Sequence, residues 1–242
     1  MSTPRGLLIF LGTYTPAGGA SRGIYSLRLD PATGVPSAPS LAAETANPTF
    51  LAWHPAGHTL YALGENGTLQ GRAAGALVAF HYDAASGSLT RLGTEPTGGI
   101  SLAHVGVDTT GRTAAVISYH GSQVASFPIA PDGSLGARTS FITHTGQLGP
   151  NTKRQDKPHP HSITISPDNR FVYVCDLGLD RIFRYALDAA AATMMPVGET
   201  AARPGAGPRH ARFSADGRFL HVINELDNTM AVFAAHAASG VL

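Results

Sequence analysis

The chain has 242 residues, of which 43% are hydrophobic, and its formal net charge is +1. This length provides a sizeable core in one or two domains, and the balanced charge gives no reason to expect nucleic acid or an acidic membrane surface as a partner. The single cysteine, Cys175, excludes an internal disulfide framework and favours a reducing compartment, the cytoplasm. No apolar run approaches the roughly 18 residues that a membrane-spanning helix needs.

From residues 7–14 onward the chain reads as short strands separated by turns. One hairpin pattern recurs four times, with an apolar strand on each side of a polar turn centred on Gly57, Gly111, Asn169 and Gly217. A second turn also repeats, for example at residues 30–34, 130–133 and 236–240. Each unit therefore has two turn signals between three or four strands, which is typical of a β-propeller blade with a repeat of a little over ~40 residues.

The strands alternate as half-buried strands should. Phe171, Tyr173 and Cys175 point to one face, while Val172 and Val174 point to the other. Because both faces are partly apolar, neighbouring sheets are expected to pack on each other. Residues 186–193 are the best helical candidate, but they lie where the other repeats have a turn. We therefore predict an all-β fold, a β-propeller of four-stranded blades.

The repeat count gives about four and a half blades in one propeller domain over residues 1–242. The chain enters at the second strand of a blade, contains three full units and ends inside a fifth. Unsealed blades would expose sheet edges, so we expect the chain to be part of a longer propeller, truncated at its C-terminus. A natural short form, or an oligomer that completes the ring, is the alternative.

The repeat also serves as a coordinate system for candidate site residues. The positions eight residues before the four turns are occupied by Thr49, Ala103, His161 and Arg209. The positions eight residues after them are occupied by Glu65, Tyr119, Leu177 and Glu225. In an antiparallel hairpin these positions meet at the open end, and the first strand of a blade is the innermost.

His161, Arg209 and Glu225 should therefore face one pocket from adjacent blades. An imidazole can move a proton near neutral pH, a guanidinium can hold a carboxylate or phosphate, and a carboxylate can orient either group. Each of these residues taken alone would more often be solvated or satisfy a local backbone group. Three at equivalent positions favour a catalytic site.

Two segments carry a specific resemblance: GPNTKRQDKPHPHSITISPDNRFVYVCDLGLDRIFRY and GAGPRHARFSADGRFLHVINELDNTMAVF. Together with the opening GTYT and RGIYSLRLDPATG, they resemble the lactonase family of seven-bladed propellers. That family includes propeller-type 6-phosphogluconolactonases and carboxymuconate-lactonizing enzymes. The resemblance places the family's histidine, arginine and glutamate on His161, Arg209 and Glu225.

The resemblance implies opening of a sugar lactone without a metal or other cofactor. His161 would transfer a proton or activate water, Arg209 would hold the substrate's phosphate or carboxylate, and Glu225 would orient them. Arg154 and Lys157, with Lys153 beside them, would add phosphate affinity. His104 and His210 are further candidates for substrate binding at the rim.

Some features of the family are absent. Leu102-Ala103-His104-Val105 departs from the family's P-C-H-L pattern, and a further arginine of the family's site has no counterpart within the 242 residues. His159 and His161 lack the spacing of a recognised metal site. No glycine-rich phosphate loop opens a helix, and no Gly-X-Ser-X-Gly motif occurs.

Two alternatives remain open at this point. One is a carboxymuconate-type lactonizing cycloisomerase, which differs in what the arginines hold. The other is a non-catalytic propeller that binds a protein partner on its rim. The predicted rim of His, Arg and Glu favours a small-molecule lactone substrate over a protein partner. The sequence does not specify an oligomeric state.

Overall fold

A computed structural model describes residues 6–69, 72–84 and 86–242, and within these residues all regular structure is antiparallel β-strand. Three sheets have four strands and two have three. The first three-stranded sheet is formed by β1 (Leu7–Leu11), β2 (Gly23–Leu29) and β3 (Ser40–Glu44). The first four-stranded sheet is formed by β4 (Pro48–Trp53), β5 (Thr59–Leu69), β6 (Arg72–Tyr82) and β7 (Leu89–Pro96).

The remaining sheets follow in chain order. The next is formed by β8 (Leu102–Val107), β9 (Thr113–Ser118), β10 (Gln123–Pro128) and β11 (Ser140–Thr143). It is followed by β12 (Pro160–Ile165), β13 (Phe171–Asp176), β14 (Arg181–Asp188) and β15 (Thr193–Ala201). The last is formed by β16 (Pro208–Phe213), β17 (Phe219–Asn224) and β18 (Met230–Ala234).

Each sheet pairs its strands in sequence order, as a propeller blade does. The first strands of neighbouring blades lie side by side, with β8 packing against β4 and β12, and β12 packing against β16. These first strands therefore line the propeller axis. The predicted all-β propeller of about four and a half blades is confirmed.

The core lies between the blades, as the alternation in β13 predicts. Val172 and Val174 pack toward the preceding blade, in one cluster with Ile117 and Ile163. Tyr173 and Cys175 pack toward the following blade, with Leu220 and Val222 as partners. Because each face of their central strands meets a different sheet, the three four-stranded blades are stabilised by burial on both sides.

The second repeated turn is also present. The amide of Gly34 donates to the carbonyl of Asp30 at 2.8 Å, and Gly240 donates to His236 at 2.7 Å. These glycines have φ values of 71° and 68°, which a residue with a Cβ rarely adopts. Residues 186–193 contain the end of β14, a turn and the start of β15, so the weak helical pattern there forms no helix. The described residues contain no helix long and apolar enough to cross a membrane.

Candidate active site

A cavity of about 540 Å³ lies at the open ends of the first hairpins of the blades. Its volume is within the range of about 300–1,000 Å³ typical of small-molecule sites. All four residues that precede the repeat turns by eight positions line it: Thr49, Ala103, His161 and Arg209. Of the four that follow by eight positions, Glu65, Tyr119 and Glu225 also line it, while Leu177 is fully buried elsewhere.

A β-bulge in each first strand aims these side chains at the cavity. In β12 the register passes from Pro160 opposite Asp176 to Ser162 opposite Cys175, which leaves His161 unpaired. The same shift in β16, between Pro208 and His210, leaves Arg209 unpaired. The shift recurs at Ala103 in β8 and across residues 49 and 50 in β4. An extra residue in one strand re-aims its side chain, and here the shift recurs in every first strand of the described blades.

A second repeated contact closes the open end of each hairpin. Glu225 donates its backbone N–H to the carbonyl of Gly207 at 2.8 Å, and Tyr119 donates to Ser101 at 2.9 Å. The amides of Leu177 and Glu65 make the equivalent bonds, to His159 at 3.0 Å and to Asn47 at 3.2 Å. The backbone of Glu225 and of Tyr119 is thus fixed at the open end of its hairpin.

Two arginines hold the carboxylate of Glu225. Arg209 donates from Nε to Oε2 at 2.7 Å, and Arg154 donates from Nη2 to Oε1. Burial alone would raise the pKa of Glu225, but the hydrogen bonds from Arg154 and Arg209 lower it below its usual value. Glu225 is therefore ionised near neutral pH, and both its oxygens are occupied.

His161 lies beside this pair. Its Nε2 is 3.9 Å from Oε2 of Glu225, and its Nδ1 is buried without a hydrogen-bond partner. Burial, followed by the charge of Arg209 and by His210, lowers the pKa of His161 to about 4. The ring is therefore neutral near pH 7 and can accept a proton.

Arg154 reaches the cavity from the loop between β11 and β12, and a buried glutamine fixes that loop. Gln155 donates from Nε2 to the carbonyl of Leu177 at 2.9 Å, and its Oε1 accepts from the amide of Asn151 at 2.9 Å. Arg154 also lies 3.5 Å from the hydroxyl of Tyr119. The anchored loop places a second guanidinium opposite Arg209.

The other predicted substrate-binding residues lie at different depths. His210 lines the cavity, and burial together with Arg209 lowers its pKa. His104 is buried behind it, with its ring 4.2 Å from Phe50, and burial lowers its pKa to about 3. Lys157 donates to the carbonyl of His120 at 2.9 Å and does not line the cavity. Lys153 is exposed.

The structure adds lining residues to which the sequence analysis gave no site role, among them Tyr14, Phe50 and His120. Tyr14 precedes the first repeat turn by far more than eight residues, so the repeat gives no signal for it. Phe50 and His120 are each one residue after a repeat position, at Thr49 and Tyr119. Widening the repeat positions by one residue would have identified both.

The two histidines of the HPHS motif have different surroundings. The ring of His159 stacks on Tyr119 and contacts Asp156 at 2.9 Å. Asp176 accepts from the amides of His159, Gly178 and Leu179 at 2.8, 3.0 and 3.1 Å. Within the described residues, no group of three or more His, Cys, Asp or Glu side chains has a metal-binding arrangement.

Residues 8–242 match a family model described as "Lactonase, 7-bladed beta-propeller". The chain is 36% identical over 231 residues to the 6-phosphogluconolactonase of Bacillus subtilis, covering 96% of this chain and 63% of the relative. It is 29% identical to the 6-phosphogluconolactonase of Formosa agariphila, covering 93% of this chain and 64% of that protein. The chain thus spans less than two thirds of the length of these curated relatives.

A solved structure gives the same picture. The periplasmic gluconolactonase of Pseudomonas aeruginosa superposes with a TM-score of 0.85 at 32% identity, covering 97% of this chain and 65% of that one. The likeness extends through all the blades described above. The cavity and its bulges therefore lie in a fold shared with proteins that are named for lactone chemistry.

Proposed function

Because the chain belongs to the lactonase family of seven-bladed β-propellers, we propose that its cavity opens a phosphorylated sugar lactone, with 6-phosphogluconolactone as the best candidate. The observation that carries the proposal is the cluster of His161, Arg209 and Glu225, with Arg154, in one cavity. Relatives in Bacillus subtilis and Formosa agariphila bear the name of this activity.

The charges of the cavity suit an anionic substrate. Glu225 neutralises part of the positive charge of Arg154 and Arg209. Each guanidinium still has N–H groups that do not donate to Glu225. A phosphate would bind these forked donors in a bidentate manner. Glu225 acts in this scheme as the group that orients the two arginines.

The proposed reaction uses water and these side chains. His161 accepts a proton from a water molecule while the oxygen of that water attacks the lactone carbonyl carbon. Arg209 donates hydrogen bonds to the oxyanion that forms, which stabilises the tetrahedral intermediate. The bond between the carbonyl carbon and the ring oxygen then breaks, and His161 returns the proton to that oxygen. The product is an open-chain hydroxy acid.

A low pKa makes His161 a weak base in the empty cavity. Arg209 contributes to that low pKa through its positive charge. A bound phosphate offsets this charge and raises the pKa of His161 toward the range in which it takes up a proton more readily. Substrate binding would thus prepare the base for its role.

The test is acid release from 6-phosphogluconolactone above the spontaneous rate, by this chain and by the Bacillus subtilis relative as a positive control. His161→Ala and Arg209→Ala should each remove most of the turnover while the circular dichroism spectrum stays unchanged. Normal turnover by both variants would overturn the site assignment. No turnover by the folded chain would contradict lactone hydrolysis and favour the cycloisomerase reaction or a binding role.

We also propose the cytoplasm as its compartment. The support is that Cys175 is buried and unpaired. The solved relative from Pseudomonas aeruginosa is named as periplasmic, so localisation of the tagged chain is the deciding measurement. The cavity volume of about 540 Å³ suits a small molecule as the bound partner.

A further inference from the structure

One wall of the cavity is organised by Asn47, which no step of the proposed reaction uses. Its side-chain Oδ1 accepts from the amide of Thr15 at 2.8 Å, and its own amide donates to the hydroxyl of Thr15 at 3.0 Å. Its carbonyl accepts from the amides of Thr49 at 2.8 Å and Glu65 at 3.2 Å. Asn47 therefore connects the segment that contains Thr15 with both strands of the β4–β5 hairpin.

Asn47 adopts an uncommon conformation to do this. Its φ is 44°, in the left-handed region that non-glycine residues rarely occupy, and it precedes Pro48. Asparagine tolerates this region better than most residues. The segment before Tyr14 is equally constrained, because a Cβ at Gly12 would lie 1.9 Å from the carbonyl oxygen of Pro48. Strain of this kind concentrates at functional sites.

The segments that Asn47 joins carry three cavity-lining residues, Tyr14, Thr49 and Glu65. We call this set the Asn47 wall. The blade that contains Thr49 and Glu65 is separated from the blade of Arg209 and Glu225 by two others. The Asn47 wall therefore lies on a different side of the propeller axis from Arg209 and Glu225.

The Asn47 wall differs in charge from the opposite side. Glu225 is bound by two arginines, whereas Glu65 has no ion pair with any Lys, Arg or His whose side chain the structure describes. A hydrogen bond with Glu65 raises the pKa of Tyr14, so the phenol stays protonated. The hydroxyl of Thr49 is buried without a hydrogen-bond partner.

From this arrangement we propose that Glu65, positioned by Asn47, is a specificity-determining residue that accepts hydrogen bonds from the hydroxyl groups of the substrate. The inference rests on the proposed function and names the part of the substrate that the arginines do not hold. A carboxylate accepts hydrogen bonds from neutral hydroxyl groups. The Asn47 wall thus selects a substrate that carries several hydroxyl groups over an anion that carries none.

The test is calorimetric binding of 6-phosphogluconate, the stable ring-opened product, and of inorganic phosphate. Hydrogen bonds to a charged group carry enough energy for a change of about tenfold or more. Glu65→Gln should weaken 6-phosphogluconate binding by at least about tenfold and leave phosphate binding within about twofold. Glu95→Gln, on the outer strand β7 of the same blade, is the matched control and should change neither.

Each other outcome overturns a definite claim. If the unaltered chain binds neither ligand, the proposed function fails together with this inference. If it binds both and Glu65→Gln binds them equally well, only this inference fails. If Glu65→Gln loses phosphate as well, Glu65 supports the cavity structure rather than selecting the sugar, which also overturns the inference.

A second pair of variants tests Asn47 as a positioning residue. Asn47→Asp keeps the oxygen that Thr15 binds and tolerates the left-handed conformation, so it should keep the preference for 6-phosphogluconate over phosphate. Asn47→Leu loses the oxygen and strains the backbone, so the preference should fall about tenfold, as in Glu65→Gln. Equal preference in the two variants would remove Asn47 from this role.

Discussion

Glu225 and Arg209 are joined by a hydrogen bond of 2.7 Å between Oε2 and Nε, made by two residues that lie eight positions on either side of one turn. The bulge at Arg209 and the backbone bond of the Glu225 amide bring these side chains to the same open end. Arg154 occupies the other oxygen of Glu225. In the proposed reaction the carboxylate orients the two arginines, and His161, whose Nδ1 has no hydrogen-bond partner, transfers the proton.

The first prediction concerns this orienting role. Glu225→Gln keeps the shape of the side chain but removes the charge that holds two guanidinium groups. Charge-assisted hydrogen bonds contribute about 1.5–3 kcal/mol, so kcat/KM for lactone hydrolysis should fall by about 10- to 100-fold. Steady-state kinetics measures this loss. The control is Glu199→Gln, which breaks a 3.2 Å ion pair with Arg181 outside the cavity and should leave kcat/KM unchanged.

The second prediction concerns pH. The proposed base His161 must be neutral, and its pKa is lowered to about 4. Protonation therefore begins to inactivate the free enzyme only as the pH falls toward 4, and kcat/KM should stay flat from about pH 8 to about pH 5.5. A histidine with the usual pKa of about 6.5 would already lose activity below pH 7. The measurement is the pH profile of kcat/KM, corrected for spontaneous hydrolysis.

Nuclear magnetic resonance of the ring checks the same pKa without relying on activity. In Arg209→Gln a positive neighbour is removed, so the pKa of His161 should rise from about 4 toward its usual value. Titration of His161 near pH 6.5 in the unaltered chain would contradict the proposed electrostatics. An unchanged pKa of His161 in Arg209→Gln would leave burial and His210 as the causes of its low value.

The repeat made much of the fold and part of the site predictable. Alternation in β13 gives the faces of a strand directly, and counting from the turns brings His161, Arg209 and Glu225 to one rim. Sequence periodicity, however, gives no signal for a β-bulge, because one extra residue disturbs the alternation by a single position. The bulges at His161 and Arg209 leave these two residues unpaired at the cavity. Leu177, at the position equivalent to Glu225, is apolar and is fully buried instead.

The rest of the site depends on contacts between distant segments. The sequence gives no signal for the role of Asn47, because that role comes from a left-handed backbone conformation and from hydrogen bonds to Thr15, Thr49 and Glu65. Tyr14 also lines the cavity, although it does not occupy one of the counted repeat positions. His104 was predicted to bind substrate at the rim, yet its ring packs 4.2 Å from that of Phe50 and it does not line the cavity. Spacing along the chain carries no information about such depth.

The third prediction separates two neighbouring cations of one loop. Arg154 lines the cavity, whereas Lys153 is exposed to solvent and is not a lining residue. Arg154→Ala should raise KM for 6-phosphogluconolactone by about tenfold, since one charge-assisted contact to phosphate is lost. It should change KM for the unphosphorylated gluconolactone far less. Lys153→Ala, the matched control, should leave both KM values unchanged. Equal effects of the two variants would mean that general charge attraction, rather than a bound phosphate, explains the loop.

The fourth prediction concerns the stability of the blade that carries His161. Asp176 is fully buried; it accepts from His144 Nδ1 at 2.7 Å and from three backbone amides, while His144 Nε2 contacts the Tyr185 hydroxyl at 2.6 Å. Asp176→Ala leaves these buried donors without an acceptor, so the free energy of unfolding should fall by about 3–5 kcal/mol. Denaturant unfolding measures it. Asp188→Ala, which removes an exposed acceptor of two amides in the same blade, should cost much less because water can replace it. A similar loss in both variants would show that the network of Asp176, His144 and Tyr185 adds nothing beyond an ordinary turn.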